Sequence, residues 1–271
     1  MSDNLLRTAV ADVFRDSLST LDGTVYVVNP TKDAIDELVS VLEHIEDAPE
    51  VRLLARAGAL KDSMEDFLVA STAADLVESG TLALRVSDDR AGTLLVGEDR
   101  VVSVVGGDDG VGGLVGEDAD LVATVRDRYD AAWEAAEAYT LRTPPIDDVR
   151  TTLEDDLGPE TAADFDGMLA SLETARGDGE GLDEVTISLL VAAKNEQLLY
   201  DISKWGEDVG IASKATFSRT KSRLEELGLI DTEKVPIDVG RPRLRLLLGD
   251  ERLKGAETDQ IASVAQSILA N

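Results

Sequence analysis

Apolar residues follow two patterns along the first half of the chain, and together they predict a layered domain. Apolar residues three or four positions apart predict an amphipathic helix over residues 3–21. Short apolar runs that are typical of buried strands lie at residues 24–28, 51–54 and 82–86. Helical stretches over residues 31–44 and 60–79 separate these runs, and Thr31 is placed to cap the first. This order predicts a parallel sheet that is buried on both faces.

Further patterns complete this domain. Apolar runs at residues 93–96 and 101–105 predict a β-hairpin added to the sheet. A long helix is predicted over residues 119–139, and two prolines end it at residues 144 and 145. The Gly-rich segment 106–113 lacks the Gly-Lys-Ser/Thr ending of a phosphate-binding loop and contains two carboxylates, so we interpret it as a mobile surface loop. For residues 1–142 we therefore expect an α/β domain with a mostly parallel sheet plus a β-hairpin.

A helical linker is predicted over residues 143–181. Two helices with modest apolar faces are broken at Gly158-Pro159, and a Gly-rich run closes the segment at residues 177–181. The sequence leaves open whether residues 146–176 pack against the first domain or against the one that follows.

Residues 182–271 predict an α+β winged helix-turn-helix domain with a C-terminal helix. Three helices are expected, at residues 184–195, 199–207 and 213–227. Val209-Gly210 fits the short glycine-containing turn between the last two. On the third helix, Phe217, Leu224 and Leu227 are expected to face the core. Leucine then alternates with arginine along residues 243–248, which is typical of a wing strand.

The opposite face of the third helix carries hydroxyl and guanidinium groups, which bond phosphate oxygens and base edges in a DNA major groove. Ser213 occupies the position of a helix cap. The candidate DNA-binding residues on this helix are Ser213, Lys214, Thr216, Ser218, Arg219, Ser222 and Arg223. In the wing, Arg241, Arg243 and Arg245 are expected to lie over the DNA backbone or the minor groove.

The distribution of charge supports this assignment. The 271 residues include 55 Asp and Glu against 26 Lys and Arg, giving a net charge of -29. Residues 211–247, however, contain 8 basic and 5 acidic residues, so this stretch has a net positive charge. A positive island in so acidic a chain predicts an anionic partner. The acidic excess elsewhere, with arginine preferred over lysine, is typical of proteins from a halophilic cytoplasm.

Two motifs within this island resemble a known family. The third predicted helix ends in the pattern L-x-x-x-G-L-I at residues 224–230, and a G-R-P motif follows at residues 240–242. Residues 183–249 resemble the winged helix-turn-helix of archaeal and bacterial regulators. With its α/β amino-terminal half, the chain resembles the haloarchaeal TbsP (TrmB suppressor) regulators. This resemblance implies a DNA-binding regulator of metabolic genes, without indicating an effector or an operator.

The amino-terminal domain suits a small-molecule effector at the carboxyl ends of its strands, where open sheets bind ligands. Candidate anion-binding residues there are Thr31, Lys32 and Arg56. A scaffold that only dimerises is the alternative. With no cysteine and a single histidine, thiolate catalysis, Cys-ligated metals and most catalytic triads are excluded. We interpret His44 as a partner of a helix C-terminus and expect no catalytic residue, cofactor or metal.

The leading hypothesis is a sequence-specific transcription regulator, cytoplasmic and without a membrane segment, that binds promoter DNA as a homodimer. Two half-sites raise affinity beyond what one module supplies. The alternative is a sensor or interaction protein whose winged helix binds another protein rather than DNA. A small-molecule enzyme in the first domain is disfavoured because turnover would have to proceed without His or Cys chemistry.

Overall fold

A computed structural model describes residues 5–7, 9–107, 110–174, 182–236 and 242–269. The chain divides into two compact units, residues 1–145 and residues 146–271. No helix among the described residues is long and apolar enough to cross a bilayer.

The first unit contains one sheet and helices on both of its faces. Its strands are β1 (Leu5–Arg7), β2 (Thr24–Val28), β3 (Glu50–Ala55), β4 (Leu82–Val86), β5 (Leu94–Val96), β6 (Val101–Gly107), β7 (Gly110–Gly116) and β8 (Glu137–Ala138). Its helices are α1 (Val10–Leu18), α2 (Lys32–Glu43), α3 (Ala57–Ser63), α4 (Phe67–Glu78) and α5 (Ala119–Ala135).

The strand order in the sheet is β1-β7-β6-β5-β2-β3-β4-β8. Strands β2, β3 and β4 are parallel, with Val25 opposite Val51 and Leu53 opposite Leu84, which confirms the predicted parallel core. The predicted hairpin is β5–β6, and it joins the core by antiparallel pairing of β5 with β2. Antiparallel strands β7, β1 and β8 extend the sheet further than the sequence predicted.

Alternate residues of the central strands enter two different cores. Val25 and Val27 pack with α1 to α4, whereas Tyr26 and Val28 pack with Tyr129 and Trp133 of α5 in the other layer. The unit therefore has three layers, as expected for a sheet that is apolar on both faces.

Four segments of this unit differ from the sequence predictions. The helix predicted over residues 60–79 forms two helices, α3 and α4, and the helix predicted over residues 119–139 ends at Ala135, because residues 137–138 pair with β4 as strand β8. The helix predicted over residues 3–21 begins only at Val10, and Leu5–Arg7 form β1 instead, because these residues pair with the otherwise open edge of β7. The segment 106–113 is not a loop over its described length. Residues 101–107 and 110–116 form the paired strands β6 and β7, with Gly107 opposite Gly110, and residues 108–109 lie outside the described residues.

The second unit is mainly helical. Its helices are α6 (Ile146–Leu157), α7 (Pro159–Thr174), α8 (Glu184–Lys194), α9 (Leu199–Val209), α10 (Lys214–Glu226) and α11 (Thr258–Leu269), and its strands are β9 (Ile230–Val235) and β10 (Arg243–Leu248). Strands β9 and β10 form an antiparallel pair. Helices α6 and α7, whose placement the sequence left open, belong to this unit.

Trp205 of α9 ties α6 and α7 to the helix-turn-helix. Its side chain is 1% exposed and contacts the Phe165 ring of α7 edge-on, with 6.4 Å between the ring centroids. The indole Nε1 donates a hydrogen bond of 3.0 Å to Thr152 Oγ1 of α6. The core around α9 is therefore completed by residues from α6 and α7.

Asp164 joins three helices of this unit. Its carboxylate accepts hydrogen bonds from Lys194 Nζ, from Asn195 Nδ2 at 2.8 Å and from Thr258 Oγ1 at 2.9 Å. Burial raises the pKa of Asp164, but the bonds from Lys194, Asn195 and Thr258 outweigh it, so the net pKa lies below its usual value. The ionised carboxylate therefore stabilises the contacts of α7 with α8 and α11.

We predict that Asp164→Asn lowers the free energy of unfolding by about 2 kcal/mol at neutral pH, because a charged acceptor of several bonds is lost. Since the pKa of Asp164 is lower in the folded state, its contribution is present above its unfolded pKa of about 3.9 and disappears as the pH falls through the folded pKa. Urea denaturation at several pH values measures both effects. The control is Asp155→Asn, an exposed carboxylate of α6. An equal loss in the two variants would contradict the prediction.

Candidate nucleic-acid interface

The turn between α9 and α10 depends on two glycines. Gly210 ends α9 in the left-handed region with φ of 93°, and the next amide, Ile211 N, bonds back to Gly206 O at 2.8 Å. Gly206 lies under the Phe217 ring, because a Cβ at residue 206 would be 2.3 Å from Phe217 Cζ. Only glycine therefore allows α9 and α10 to approach this closely.

The buried face of α10 differs from the prediction at one residue. Phe217 and Leu224 are fully buried as predicted, but Leu227 is 40% exposed. Helix α10 ends at Glu226, so Leu227 is its C-cap, and Leu229 and Ile230 of the following segment fill the core instead.

The opposite face of α10 is exposed and carries the groups that the sequence indicated. Ser218, Arg219, Ser222 and Arg223 are exposed, and Thr216 is half-buried. Arg219 Nη2 donates to Thr216 Oγ1 at 3.3 Å, and the Ser222 hydroxyl donates to Ser218 O at 3.1 Å. Within the described part of the chain, neither Arg219 nor Arg223 has a carboxylate at ion-pair distance.

The first two candidate residues of this helix have structural partners. The Ser213 hydroxyl accepts a hydrogen bond of 3.2 Å from Thr216 N, which makes Ser213 the N-cap of α10. Lys214 Nζ lies 2.7 Å from Glu207 Oε2 of α9. The hydrogen bond to Glu207 raises the pKa of Lys214, and the same bond lowers the pKa of Glu207. Ser213 thus caps the start of α10, and Lys214 connects α10 to α9.

The candidate arginines near β10 are paired with carboxylates. Arg243 Nη1 lies 3.2 Å from Asp201 Oδ1, and Arg245 Nη1 lies 3.8 Å from Glu233 Oε2. Each arginine side chain is 38% exposed. Arg241 lies outside the described residues.

Sequence reasoning missed Tyr200, which lies beside this face. Its ring is 47% exposed and lies 4.4 Å from the Arg243 guanidinium carbon. The two residues help to line a cleft of about 380 Å³ between α9, α10 and β10, together with Ser203, Lys214, Ser218 and Pro242. The sequence did contain a signal for Tyr200, because this aromatic residue falls outside the buried Ile202–Trp205 stripe of α9.

The three candidate ligand residues of the first unit lie where β2 and β3 lead into helices. Thr31 is the N-cap of α2, and its hydroxyl accepts a bond of 3.3 Å from Ala34 N. Lys32 forms an ion pair with Asp36, which also accepts a bond from the Ser63 hydroxyl. Arg56 precedes α3 and is exposed, with no ion pair to a described residue. Of the three, Arg56 is the one whose charge is open to an anion.

A second cleft lies at the other end of this sheet. It measures about 290 Å³ and is lined by Ser19 and Thr20 after α1, by Arg100, and by Glu117 after β7. Arg100 bonds Asp99 at 3.1 and 2.9 Å. The hydrogen bond and charge of Asp99 raise the pKa of Arg100, although partial burial opposes them.

His44 lies at a helix terminus, and the acidic residues of the described ranges form no metal-binding group. His44 is the C-cap of α2, and its Nδ1 lies 2.7 Å from Ser40 O, as expected of a helix C-terminus. No group of three His, Asp or Glu side chains is placed to hold a metal ion in the part of the chain that the structure describes.

Solved structures show only weak overall likeness. TrmBL2, described as an archaeal chromatin protein with a novel mode of DNA binding, has a TM-score of 0.38 and 13% identity, over 51% of this chain and 54% of its own. Nuc, a phospholipase D family member from Salmonella typhimurium, has a TM-score of 0.36 and 8% identity, over 51% of this chain and 99% of its own. NucT from Helicobacter pylori has a TM-score of 0.35 and 11% identity, over 51% of this chain and 99% of its own.

Family models match nearly the whole sequence. Among curated proteins, no sequence matches this chain. Residues 2–144 match the N-terminal domain of TbsP-like transcriptional regulators, and residues 145–266 match the C-terminal helix-turn-helix domain of the same regulators. The two matches meet at the boundary between the two compact units. The chain therefore belongs to the family of TbsP-like transcriptional regulators.

Proposed function

We propose that this chain is a sequence-specific DNA-binding regulator of metabolic genes in a halophilic archaeon. The observation that carries the proposal is the exposed face of α10. Arg219 and Arg223 stand there without a carboxylate partner among the described residues, whereas the neighbouring Lys214 and Lys221 are both paired. In a chain with a net charge of -29, guanidinium groups left unpaired on one helix face favour an anionic partner.

Helix α10 has the chemistry of a recognition helix. Arginine forms bidentate bonds with the O6 and N7 acceptors of guanine, and serine hydroxyls bond phosphates or base edges. We propose that Arg219 contacts base edges, and that Ser218, Ser222 and Arg223 fix the helix in the major groove. Thr216 supports Arg219 through its hydrogen bond. In this arrangement β9 and β10 act as a wing that extends the contact along the duplex, with Arg241, Arg243 and Arg245.

A salt-rich cytoplasm increases the importance of these direct contacts. Counterion release supplies much of the affinity of DNA-binding proteins at low salt, but it contributes little when the solution already contains molar cations. Base contacts and DNA shape must then provide the discrimination between operator and other DNA. The metabolic nature of the target genes is what the family resemblance implies.

The central test is chromatin immunoprecipitation with sequencing in the native salt-rich cell. We expect sharp promoter peaks for the wild-type protein and a loss of most of the enrichment for Arg219→Ala/Arg223→Ala, because the two unpaired guanidinium groups are removed. The matched control is Lys204→Ala/Arg252→Ala, which removes the same charge from exposed residues away from this face of α10.

Either of two results would refute DNA binding by α10. One is a wild-type protein that is intact and abundant but gives no enrichment on several carbon sources, which would favour a protein partner for the helix-turn-helix. The other is equal loss in the α10 variant and its charge-matched control, which would show that only total charge matters.

We further propose that the regulator is a homodimer. One helix-turn-helix module contacts a limited length of DNA, and two linked copies bind two half-sites with a higher effective concentration. Light scattering on the purified protein in molar salt is expected to measure twice the chain mass of 28.9 kDa. A mass of one chain, at concentrations that saturate operator DNA, would contradict the proposal.

The first unit is proposed to bind a small anionic metabolite at the carboxyl ends of its strands, through Arg56, Thr31 and Lys32. The exposed guanidinium of Arg56, which has no ion pair to a described residue, and the N-terminal turn of α2 support an anion there. Thermal unfolding with a panel of sugar phosphates and carboxylic acids is expected to show a stabilising ligand, with at least about a tenfold loss of affinity in Arg56→Ala. The matched control is Arg142→Ala, another exposed arginine of this unit. Equal loss in both variants would reject this site.

A further inference from the structure

The cleft between α9, α10 and β10 brings two cations together from different elements. Lys214 lies at the start of α10, and Arg243 lies at the start of β10. The first turn of α9 also borders the cleft, and its N-cap residue, Leu198, supplies no side-chain hydrogen bond. Lys214 and Arg243 each have N–H donors beyond their ion pairs with Glu207 and Asp201, so these donors and the positive end of α9 favour an anion on this side of α10.

Arg243 is held on two sides by consecutive residues of α9. The Tyr200 ring lies 4.4 Å from its guanidinium carbon, and Asp201 Oδ1 lies 3.2 Å from its Nη1. No described residue bonds its Nε or Nη2. A planar guanidinium that stacks on an aromatic ring keeps its remaining N–H groups in one plane, which suits bidentate bonding to a phosphate.

Tyr200 is otherwise hard to explain. Among the large apolar side chains that are exposed in the described ranges, it is the aromatic one. It is exposed beside the DNA-binding face proposed for α10 rather than buried with Ile202 and Trp205 of the same helix. Its ring lies against the Arg243 guanidinium, so we seek its role in that residue.

We propose that Tyr200 and Asp201 are positioning residues that orient Arg243 toward a phosphodiester of the DNA strand beside the groove occupied by α10. This inference rests on the proposed function. It makes α9 a contributor to operator affinity through an arginine of β10, and it assigns the cleft to the DNA backbone rather than to a free small molecule.

The direction in which the Kd changes in Asp201→Asn distinguishes a positioning role from simple electrostatic repulsion. Removing a carboxylate near DNA reduces repulsion, so electrostatics alone predicts that Asp201→Asn tightens binding. Positioning predicts the opposite, a Kd about two- to fivefold higher, because a neutral amide oxygen holds Arg243 less firmly than the carboxylate does. The matched control is Asp208→Asn on the same helix, whose carboxylate pairs with Lys204, and for which we expect an unchanged or lower Kd.

The binding measurement uses the full-length protein and fluorescence anisotropy. The probe is a labelled duplex that the wild-type protein selects from a random-sequence library, measured at several salt concentrations. Inorganic phosphate is added as a competitor in a separate arm. Competition at millimolar phosphate in high salt would indicate a site for the free anion and overturn the assignment to DNA.

A double-mutant cycle tests whether Tyr200 acts through Arg243. Tyr200→Leu is expected to raise the Kd about two- to fivefold, whereas Tyr200→Phe, which keeps the ring, leaves it within about twofold. Arg243→Ala is expected to raise the Kd about tenfold and to lower the salt dependence by about one phosphate contact. In the Arg243→Ala background, Tyr200→Leu should have no further effect.

The outcomes distinguish this inference from the proposed function. If the wild-type protein selects no duplex, the proposed function itself fails. If it binds DNA and loses binding in Arg219→Ala/Arg223→Ala, but Asp201→Asn tightens binding or Tyr200→Leu adds fully to Arg243→Ala, only the positioning role is overturned. Circular dichroism of each variant verifies that these exposed substitutions leave the fold intact.

Discussion

The excess of carboxylates is the constraint on which the arrangement of this protein's charges depends. With about two acidic residues for each basic one, a lysine or arginine on the surface has a carboxylate within reach unless the fold keeps one away. Most described basic side chains of the second unit are indeed paired, including Lys204, Lys214, Lys221 and Arg243. Within the described part of this unit, Arg219 and Arg223 of α10 and Lys234 of β9 have no ion pair. In the function proposed here, the two arginines of α10 are available to an external anion.

The same pairing organises the interior. Asp164 brings a lysine, an amide and a hydroxyl from two other helices to one carboxylate. In the first unit, Arg52 bonds the Tyr26 hydroxyl at 3.1 Å, and that hydroxyl donates to Asp130 of α5 at 2.6 Å. Arg85 of β4 also contacts α5, because its guanidinium carbon lies 4.6 Å from the centroid of the Trp133 ring. Charged groups thus join layers as well as covering the surface.

Much of this fold could be predicted from strong periodic patterns. The apolar strands β2, β3 and β4 and the helices around them carry clear apolar patterns, and the burial of Phe217 and Leu224 follows from helical spacing. The glycine-rich strand β7 carried no such signal, because glycine has no side chain to reveal a period of two. Strand β1 is set by pairing with β7, a partner more than a hundred residues away, so local pattern alone favoured a helix.

The candidate interface was predictable in its residue types and less so in their partners. The exposed hydroxyls and arginines of α10 follow from the position of its buried stripe. Their ion pairs do not, since Asp201 and Glu207 reach Arg243 and Lys214 only through the folded arrangement of α9 with its neighbours. Tyr200 was missed for the same reason, because its ring contacts Arg243, a residue 43 positions later in the chain.

The contacts of Trp205 determine how much of the chain a fragment must include to retain a complete helix-turn-helix core. A fragment that starts at residue 182 contains the recognisable motif but lacks Thr152 and Phe165, the residues that satisfy the indole nitrogen and cover its ring. Such a fragment would expose a large aromatic surface and leave a buried donor without its partner. The helix-turn-helix is therefore one part of a compact unit that also contains α6 and α7.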